Sequence, residues 1–124
     1  MHSILIQNQT RPLRDSIRVI YCASFWCRLC GLMFNPGLEP NQGLLLVQPG
    51  LSRVNSAIHM LFMRFNLAAI WIDNDLKVVD RRLAKPWNPI IIPIRPARYI
   101  LEAHSSRLSE FQIGEQLAFQ TLSE

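Results

Sequence analysis

The pattern of apolar and polar positions along this chain predicts strands far more often than helices. Short runs of β-branched, aromatic and aliphatic residues alternate with turn residues such as Asn35-Pro36-Gly37, Pro49-Gly50 and Asn74-Asp75. Residues 1–16 precede these runs as an N-terminal strand or arm. The predicted strands span residues 18–23, 43–47, 58–63, 67–72, 77–82, 99–104 and 116–121.

Helical patterns are confined to two brief pieces. Residues 24–32 form one of them, which ends before Asn35-Pro36-Gly37, and residues 105–111 form the other, with Ser105 or Ser106 as its N-cap. Many short strands with few helices favour a small antiparallel sandwich or barrel-like domain over a fold of βαβ units. We therefore predict a mainly β fold with one or two short helical turns.

Residues 85–96 interrupt the regular strand pattern. Four prolines flank and follow an apolar run of three isoleucines in this segment. Because proline cannot donate a hydrogen bond to a sheet, the segment is predicted to be an edge strand or an extended crossing loop. Trp87 and the isoleucines would then cover an open end of the sheet, either as simple core capping or as the lining of a ligand pocket.

The size and composition of the chain favour one globular domain over residues 1–124. Hydrophobic residues make up 49% of the 124 residues and charged residues 18%, which is sufficient for a substantial core. No apolar run reaches the roughly 20 residues that a membrane-spanning helix requires. The first residues lack the pattern of a signal peptide. We therefore expect a cytoplasmic protein that does not associate with membranes.

The net charge of +4 raises the question of nucleic-acid binding. Eleven of the thirteen cationic residues are arginines, and they are scattered from Arg11 to Arg107. The chain has no stripe of basic and aromatic residues of the kind that stacks on bases. We therefore expect no nucleic-acid partner.

The three cysteines suggest a redox alternative. Cys27 and Cys30 form a C-x-x-C pair after an apolar strand, as in thiol–disulfide oxidoreductases. Gly31 follows at once, however, and the alternating βα units of a thioredoxin-like fold are missing. Together with Cys22 the pair gives three thiols, one fewer than a typical structural zinc site, so we predict no metal site. Free thiols packed in the core are the default expectation.

The segment 58–73 is apolar except for a few polar residues that need partners. Arg64 follows the predicted strand 58–63, and a buried guanidinium there would require a carboxylate from Asp73, Glu102 or Glu115. Paired in this way, the arginine would fix two strands together. Left half-paired at a cleft, it would bind a carboxylate or phosphate of a ligand. His59 is expected to be a hydrogen-bonded interior residue.

An ordered set of short motifs gives a family resemblance over residues 18–119. The chain resembles the domain of unknown function 192 family, which groups small β-rich prokaryotic domains. The matching pieces are Gly31-Leu32-Met33, Gly43-Leu44-Leu45-Leu46, Ile58-His59, Met63-Arg64-Phe65, Trp71-Ile72-Asp73, Val78-Val79, Lys85-Pro86-Trp87, Tyr99-Ile100-Leu101-Glu102 and Ile113-Gly114-Glu115.

The resemblance implies a compact β sandwich or barrel and no particular activity. The chain also departs from the family pattern. Ala68 stands where the family has an aspartate, Leu76 follows Asp75 where a hairpin glycine is usual, and Glu115 replaces the aspartate after the late glycine. If the family acts through the aspartate at position 68, this member is altered in that role.

These observations favour a non-catalytic binding or interaction module for a small ligand or a protein partner. The predicted pocket residues are His59, Met63, Arg64, Trp71, Asp73, Trp87 and Glu102. No motif for an activated nucleophile and no phosphate-binding glycine loop is present, so we predict no catalytic residue and no cofactor. Thiol–disulfide chemistry at Cys27 and Cys30 is the alternative. We expect a monomer or a weak homodimer.

Overall fold

The computed structural model describes residues 3–122 and consists mainly of one seven-stranded sheet. In chain order the strands and helices are β1 Ser3–Asn8, β2 Ile17–Cys22, α1 Phe25–Cys30, β3 Gln42–Ser52, β4 Leu67–Ile72, β5 Val78–Ala84, β6 Ala97–His104, a 3-10 helix Ser105–Glu110, and β7 Leu117–Leu122. Across the sheet the strands lie in the order β5-β4-β6-β3-β2-β1-β7. The prediction of a mainly β fold with short helical turns is confirmed.

The sheet is mixed, because β2 and β3 run parallel while the other neighbours are antiparallel. A parallel pair needs a long crossover, which here contains α1. The sheet curls without closing into a complete barrel. A bridge between Lys77 and Gln116 joins its two edges where β5 and β7 begin.

The curled sheet separates two hydrophobic cores. The inner core fills the concave side and includes Ile6, Leu45, Ile70, Leu101 and Phe111 from different parts of the chain. The outer core lies on the opposite face of β3, β4 and β6, under residues 58–63 and Ile91. All six residues of β4 are buried, since this strand has apolar neighbours on both faces.

The prediction of a strand over residues 58–63 was wrong. This segment forms only one isolated bridge, between Ile58 and Ile91, and otherwise turns across the outer core. The reason is that β5 and β6 already occupy both edges of β4, so the preceding apolar segment has no edge there to pair with. The remaining predicted strands correspond to β2 through β7, and the N-terminal arm contains β1.

The proline-rich segment 85–96 is an extended crossing loop, one of the two predicted alternatives. It exchanges backbone hydrogen bonds between Ile91 and Ile58, at 2.8 and 3.0 Å. His104, rather than Ser105 or Ser106, caps the 3-10 helix by accepting from the Ser106 N–H. Within residues 3–122 no helix is long and apolar enough to cross a membrane.

Candidate functional site

A pocket of about 390 Å³ opens between α1 with its following turn and the outer face of β3 and β6. Its walls are mostly apolar, with a few polar groups among them. Among its lining residues are Phe25, Leu29, Met33, Leu46, Ile58 and Met63, together with polar Arg28, Gln48, Asn55, His59 and Glu102. A concave, mainly apolar site with a few convergent polar groups is typical of small-ligand pockets, and this volume lies in their usual range.

Glu102 is the most unusual residue of this pocket. It lies in the second half of β6, opposite Leu44 on β3 and Ala69 on β4, and strand alternation places it on the outer-core face with Ile100. Its side chain is in contact with the pocket although the residue is only 4% exposed. No hydrogen-bond partner for its Oε1 atom exists among residues 3–122.

Burial without a partner changes the acidity of this carboxyl group. Desolvation disfavours the charged form and raises the pKa of Glu102 to about 7. Nothing in the described part of the chain offsets that cost, because neither a cation nor a hydrogen bond contributes to the shift. Near neutral pH this side chain is therefore divided between a protonated acid and a carboxylate.

Gly31 covers this carboxyl group at the end of α1. Its backbone has φ of +48°, which side-chain-bearing residues rarely adopt, and a Cβ atom there would lie 3.4 Å from Oε1 of Glu102. A glycine is therefore suited both to ending the helix and to the close approach. The turn after α1 forms part of the cover over Glu102.

His59 ties the segment 58–63 to α1. Its Nδ1 atom accepts from the Leu61 N–H at 3.2 Å, so the proton lies on Nε2, which donates to the Leu29 carbonyl at 2.7 Å. The Nε2 bond joins the ring to α1, and the Nδ1 bond fixes the ring within its own segment. The expected hydrogen bonds of this histidine are present, but the residue is half-buried rather than interior, and its ring lines the pocket.

Arg28 and Gln48 form a polar rim on the other side of the pocket. Arg28 donates from Nη1 to Oε1 of Gln48 at 3.1 Å, and Gln48 is buried near the end of the regular part of β3. Neither residue was predicted from the sequence, because an arginine on a short helix and a glutamine in a strand carry no motif. They are recognised as pocket residues only because the folded chain brings Arg28 and Gln48 together.

The cysteines pair differently from the C-x-x-C prediction. Cys27 forms a disulfide with Cys22, with Cα atoms 5.6 Å apart, and Cys30 is a free, exposed thiol. The expectation of three unbonded core thiols was therefore also wrong. The end of β2 and the first turn of α1 lie close together because only Ala23 and the N-cap Ser24 separate them. In this pairing Cys27 and Cys30 do not form a redox couple.

Two other predicted pocket residues, Arg64 and Asp73, lie elsewhere. Arg64 is exposed, and no carboxylate of residues 3–122 pairs with it, so the predicted buried ion pair is wrong. Asp73 is in the β4–β5 turn, where it accepts from the N–H groups of Asp75 and Lys77. Ala68 is fully buried in the inner core, so an aspartate there would need its own partner.

Trp87 is also outside the pocket, in an aromatic row on the surface. Phe62 contacts Phe34 and Trp87, with ring centroids 5.1 and 5.0 Å apart, and Trp87 is 58% exposed. All three residues have positive φ, between 60° and 69°. Such a backbone is costly for aromatic residues, and the packing of the rings helps to hold it. The prediction that Trp87 lines the pocket was wrong.

Trp71 is a core residue, which corrects its predicted place in the pocket. It is fully buried in the outer core, and its indole N–H donates to the Ser56 carbonyl at 2.7 Å. This bond holds the loop that precedes residues 58–63 against β4. The predicted residues that the structure does bring together at the pocket are His59, Met63 and Glu102.

We predict that Trp71→Phe lowers the free energy of unfolding by about 1–2 kcal/mol, because it leaves the buried Ser56 carbonyl without its donor. Urea denaturation of the two proteins measures this difference. Phe65→Leu, a change in a half-buried residue at the edge of the same core, is the comparison. Equal stability of Trp71→Phe and the parent protein would show that the indole bond contributes nothing.

Within residues 3–122 no group of three or more His, Cys, Asp or Glu side chains is arranged to hold a metal ion. Among the described residues Glu102 is the one acidic residue that lines the pocket, and its neighbours on the adjacent strands are Leu44 and Ala69, which cannot bind a metal. The pocket therefore offers hydrogen bonding, one acidic group, the guanidinium of Arg28, the thiol of Cys30 and apolar contact.

Comparison with known proteins gives a family match over most of the chain. The model of the family DUF192, described as "Uncharacterized ACR", matches residues 6–119. A UPF0127 protein of Pyrococcus furiosus is 32% identical over 117 residues, which cover 93% of this chain and 97% of that protein. A UPF0127 protein of Pyrococcus horikoshii is 37% identical over 98 residues, covering 79% and 82% of the two chains.

Two crystal structures share the fold. A protein of Novosphingobium aromaticivorans of unknown function has a TM-score of 0.77 at 17% identity, covering 94% of this chain and 83% of that one. A Sinorhizobium meliloti protein described as a candidate transcription regulator has a TM-score of 0.82 at 18% identity, with 95% and 92% covered. At such low identity these likenesses show the fold alone.

Proposed function

Since this chain belongs to the uncharacterised DUF192 family, to which UPF0127 proteins of Pyrococcus are similar, we propose that it binds a small ligand in the pocket over Glu102. The observation that carries the proposal is the unpartnered carboxyl group of Glu102 in the wall of an open pocket. A buried polar group without a partner is costly, and a ligand that supplies a hydrogen-bond donor would remove that cost.

The surroundings of Glu102 define the class of ligand. The apolar side chains of the pocket favour an aliphatic or aromatic body, and the carboxyl group favours a donor head. A primary ammonium group supplies both hydrogen bonds and the opposite charge, so it stabilises the ionised form of Glu102. We therefore infer a small amphiphilic amine, with its head at Glu102 and its body against Leu46, Ile58 and Met63.

Two residues of the pocket, His59 and Cys30, have side chains of the kinds that act as catalytic bases and nucleophiles in enzymes. His59 uses both ring nitrogens in hydrogen bonds to backbone atoms, so it is not available as a base in this conformation. Cys30 lines the pocket, and no side chain of residues 3–122 is hydrogen-bonded to it to activate the thiol. These contacts support binding rather than catalysis. A cytoplasmic location and the monomeric or weakly dimeric state stay predictions.

Hexylamine is the probe that tests the proposal, with hexanoate and hexanol as matched controls. By titration calorimetry we expect hexylamine to bind and hexanoate not to bind, because a second carboxylate would face Glu102. Alkylamines stay protonated until about pH 10, whereas Glu102 ionises near neutrality. The affinity for hexylamine should therefore increase roughly 30-fold between pH 5.5 and pH 8, in proportion to the ionised fraction of Glu102.

Two variants separate this site from general electrostatics. Glu102→Gln should abolish the pH dependence and weaken hexylamine binding at pH 8, whereas Glu39→Gln, which removes an exposed acid outside the pocket, should leave both unchanged. Equal binding of hexylamine and hexanol, unaffected by Glu102→Gln, would show that the pocket selects only for apolar surface and would reject the proposal of an amine ligand.

A further inference from the structure

We propose that Cys22, Cys27 and Cys30 form an intramolecular thiol–disulfide exchange unit, in which the bond to Cys27 moves between Cys22 and Cys30. One disulfide and one free thiol are present among these three residues. The exchange converts one such state into the other and needs no external oxidant. The inference is independent of any ligand in the pocket.

The positions of the three sulfur-bearing residues support the exchange. Cys27 and Cys30 are three residues apart on α1, and residues with this spacing on a helix have Cβ atoms about 5–6 Å apart. A disulfide requires about 3.5–4.5 Å between Cβ atoms, so the last turn of α1 must move by about 1–2 Å to form this bond. Cys27 thus has one bonded partner on β2 and a second thiol about one helical turn away on α1.

Cys30 and Cys22 differ in their exposure to solvent. Cys30 is exposed, so its thiol is accessible for reaction, whereas Cys22 is only 1% exposed. The Cys30 thiolate attacks Sγ of Cys27, and the Cys27–Cys30 bond forms as the Cys22–Cys27 bond breaks. The electron pair of the broken bond remains on the sulfur of Cys22, which takes up a proton. The number of disulfides and thiols is unchanged.

The exchange would alter how α1 is held. No residue of α1 is buried, so the helix depends on a few specific ties. One is the disulfide to β2, and the others are the hydrogen bonds of Arg28 to Gln48 and of the Leu29 carbonyl to His59. With the bond moved to Cys30, α1 loses the disulfide that cross-links it to β2, and among the described residues only the backbone then joins the two covalently. The wall that α1 contributes over Glu102 would then be more mobile.

Peptide mapping distinguishes the two pairings directly. Trypsin cuts after Arg18, Arg28 and Arg53, so a Cys22–Cys27 bond lies within the peptide 19–28, whereas a Cys27–Cys30 bond joins that peptide to 29–53. The protein is incubated at a series of pH values and quenched with acid. It is then labelled with N-ethylmaleimide in denaturant, and mass spectrometry locates the label on Cys30 or on Cys22.

We expect the label to shift in part from Cys30 to Cys22, at a rate that rises about tenfold for each pH unit in the range where the thiolate is scarce. In Cys30→Ser the peptide 19–28 should keep its internal bond at every pH. A label that stays on Cys30 after prolonged incubation at pH 8.5 would overturn the proposal.

Cys22→Ala tests the second pairing without relying on exchange. In this variant oxidised glutathione should produce the Cys27–Cys30 bond, and hydrogen exchange of the α1 amides should be faster than in the parent protein. Formation of only glutathione adducts on both cysteines would show that α1 cannot hold that bond, which also overturns the proposal.

Discussion

We expect Arg107→Ala to lower the free energy of unfolding by about 3–5 kcal/mol, among the largest effects of any single substitution in this chain. Arg107 is 2% exposed, and its guanidinium joins three segments that are distant in sequence. It donates to Glu110 within the 3-10 helix, to the Pro40 carbonyl at 2.6 Å and to the Asp15 carbonyl. Its removal leaves two backbone carbonyls and part of a carboxylate without their donor.

Urea denaturation at pH 7 measures this loss. Arg18→Ala is the matched control, because Arg18 is an exposed arginine on β2 and surface substitutions usually change stability by less than about 0.5 kcal/mol. Arg107→Lys should fall between the two, since a single ammonium group cannot serve all three acceptors in the same geometry. If Arg107→Ala were as stable as Arg18→Ala, the network would have no net contribution to stability.

Glu102→Gln should remove a large part of the dependence of stability on pH. The pKa of Glu102 is about 7 in the folded protein and about 4.5 in the unfolded chain. Between these values the folded state binds more protons than the unfolded state, so stability falls as the pH rises. The contribution of Glu102 to this fall is roughly 2–3 kcal/mol between pH 5 and pH 8.

The test compares unfolding free energies of the parent protein and Glu102→Gln at pH 5, 6, 7 and 8. As the pH rises from 5 to 8, the unfolding free energy of Glu102→Gln should increase relative to that of the parent protein by roughly 2–3 kcal/mol. The cost of burying the amide is the same at every pH, so it does not affect this change. The unfolding free energy of Glu39→Gln should change with pH in the same way as that of the parent protein. A constant difference between Glu102→Gln and the parent protein would mean that the Glu102 carboxyl has an ordinary pKa in the folded state.

The positions of most elements could be predicted from local patterns. Leu67–Ile72 was predicted with the bounds that β4 has, because a short apolar run between turn residues suits a strand buried on both faces. Ser24 was correctly placed at the start of a helix, where its hydroxyl accepts from the Cys27 N–H at 3.1 Å. Residues 58–63 have an equally strong apolar pattern but no free sheet edge, so the same reasoning failed there.

The candidate site was predicted only in part, for the same reason. His59 was identified as a polar residue within an apolar run, and Glu102 as an acid at a strand end that could pair with Arg64. Arg64 has the same signal as His59, yet it is exposed, since it lies in the irregular stretch between the turn at Leu61 and Phe62 and the start of β4. The roles of Arg28 and Gln48 depend on an approach between elements twenty residues apart.

The sequence by itself determined the class of fold, the bounds of most strands and the family, because these depend on the local alternation of apolar residues and on ordered motifs. The tertiary structure alone decided that β2 and β3 run parallel, that Cys27 bonds to Cys22, and that Glu102 is left without a partner. Each of these depends on which distant segments meet when the sheet curls, and periodicity along the chain carries no information about that.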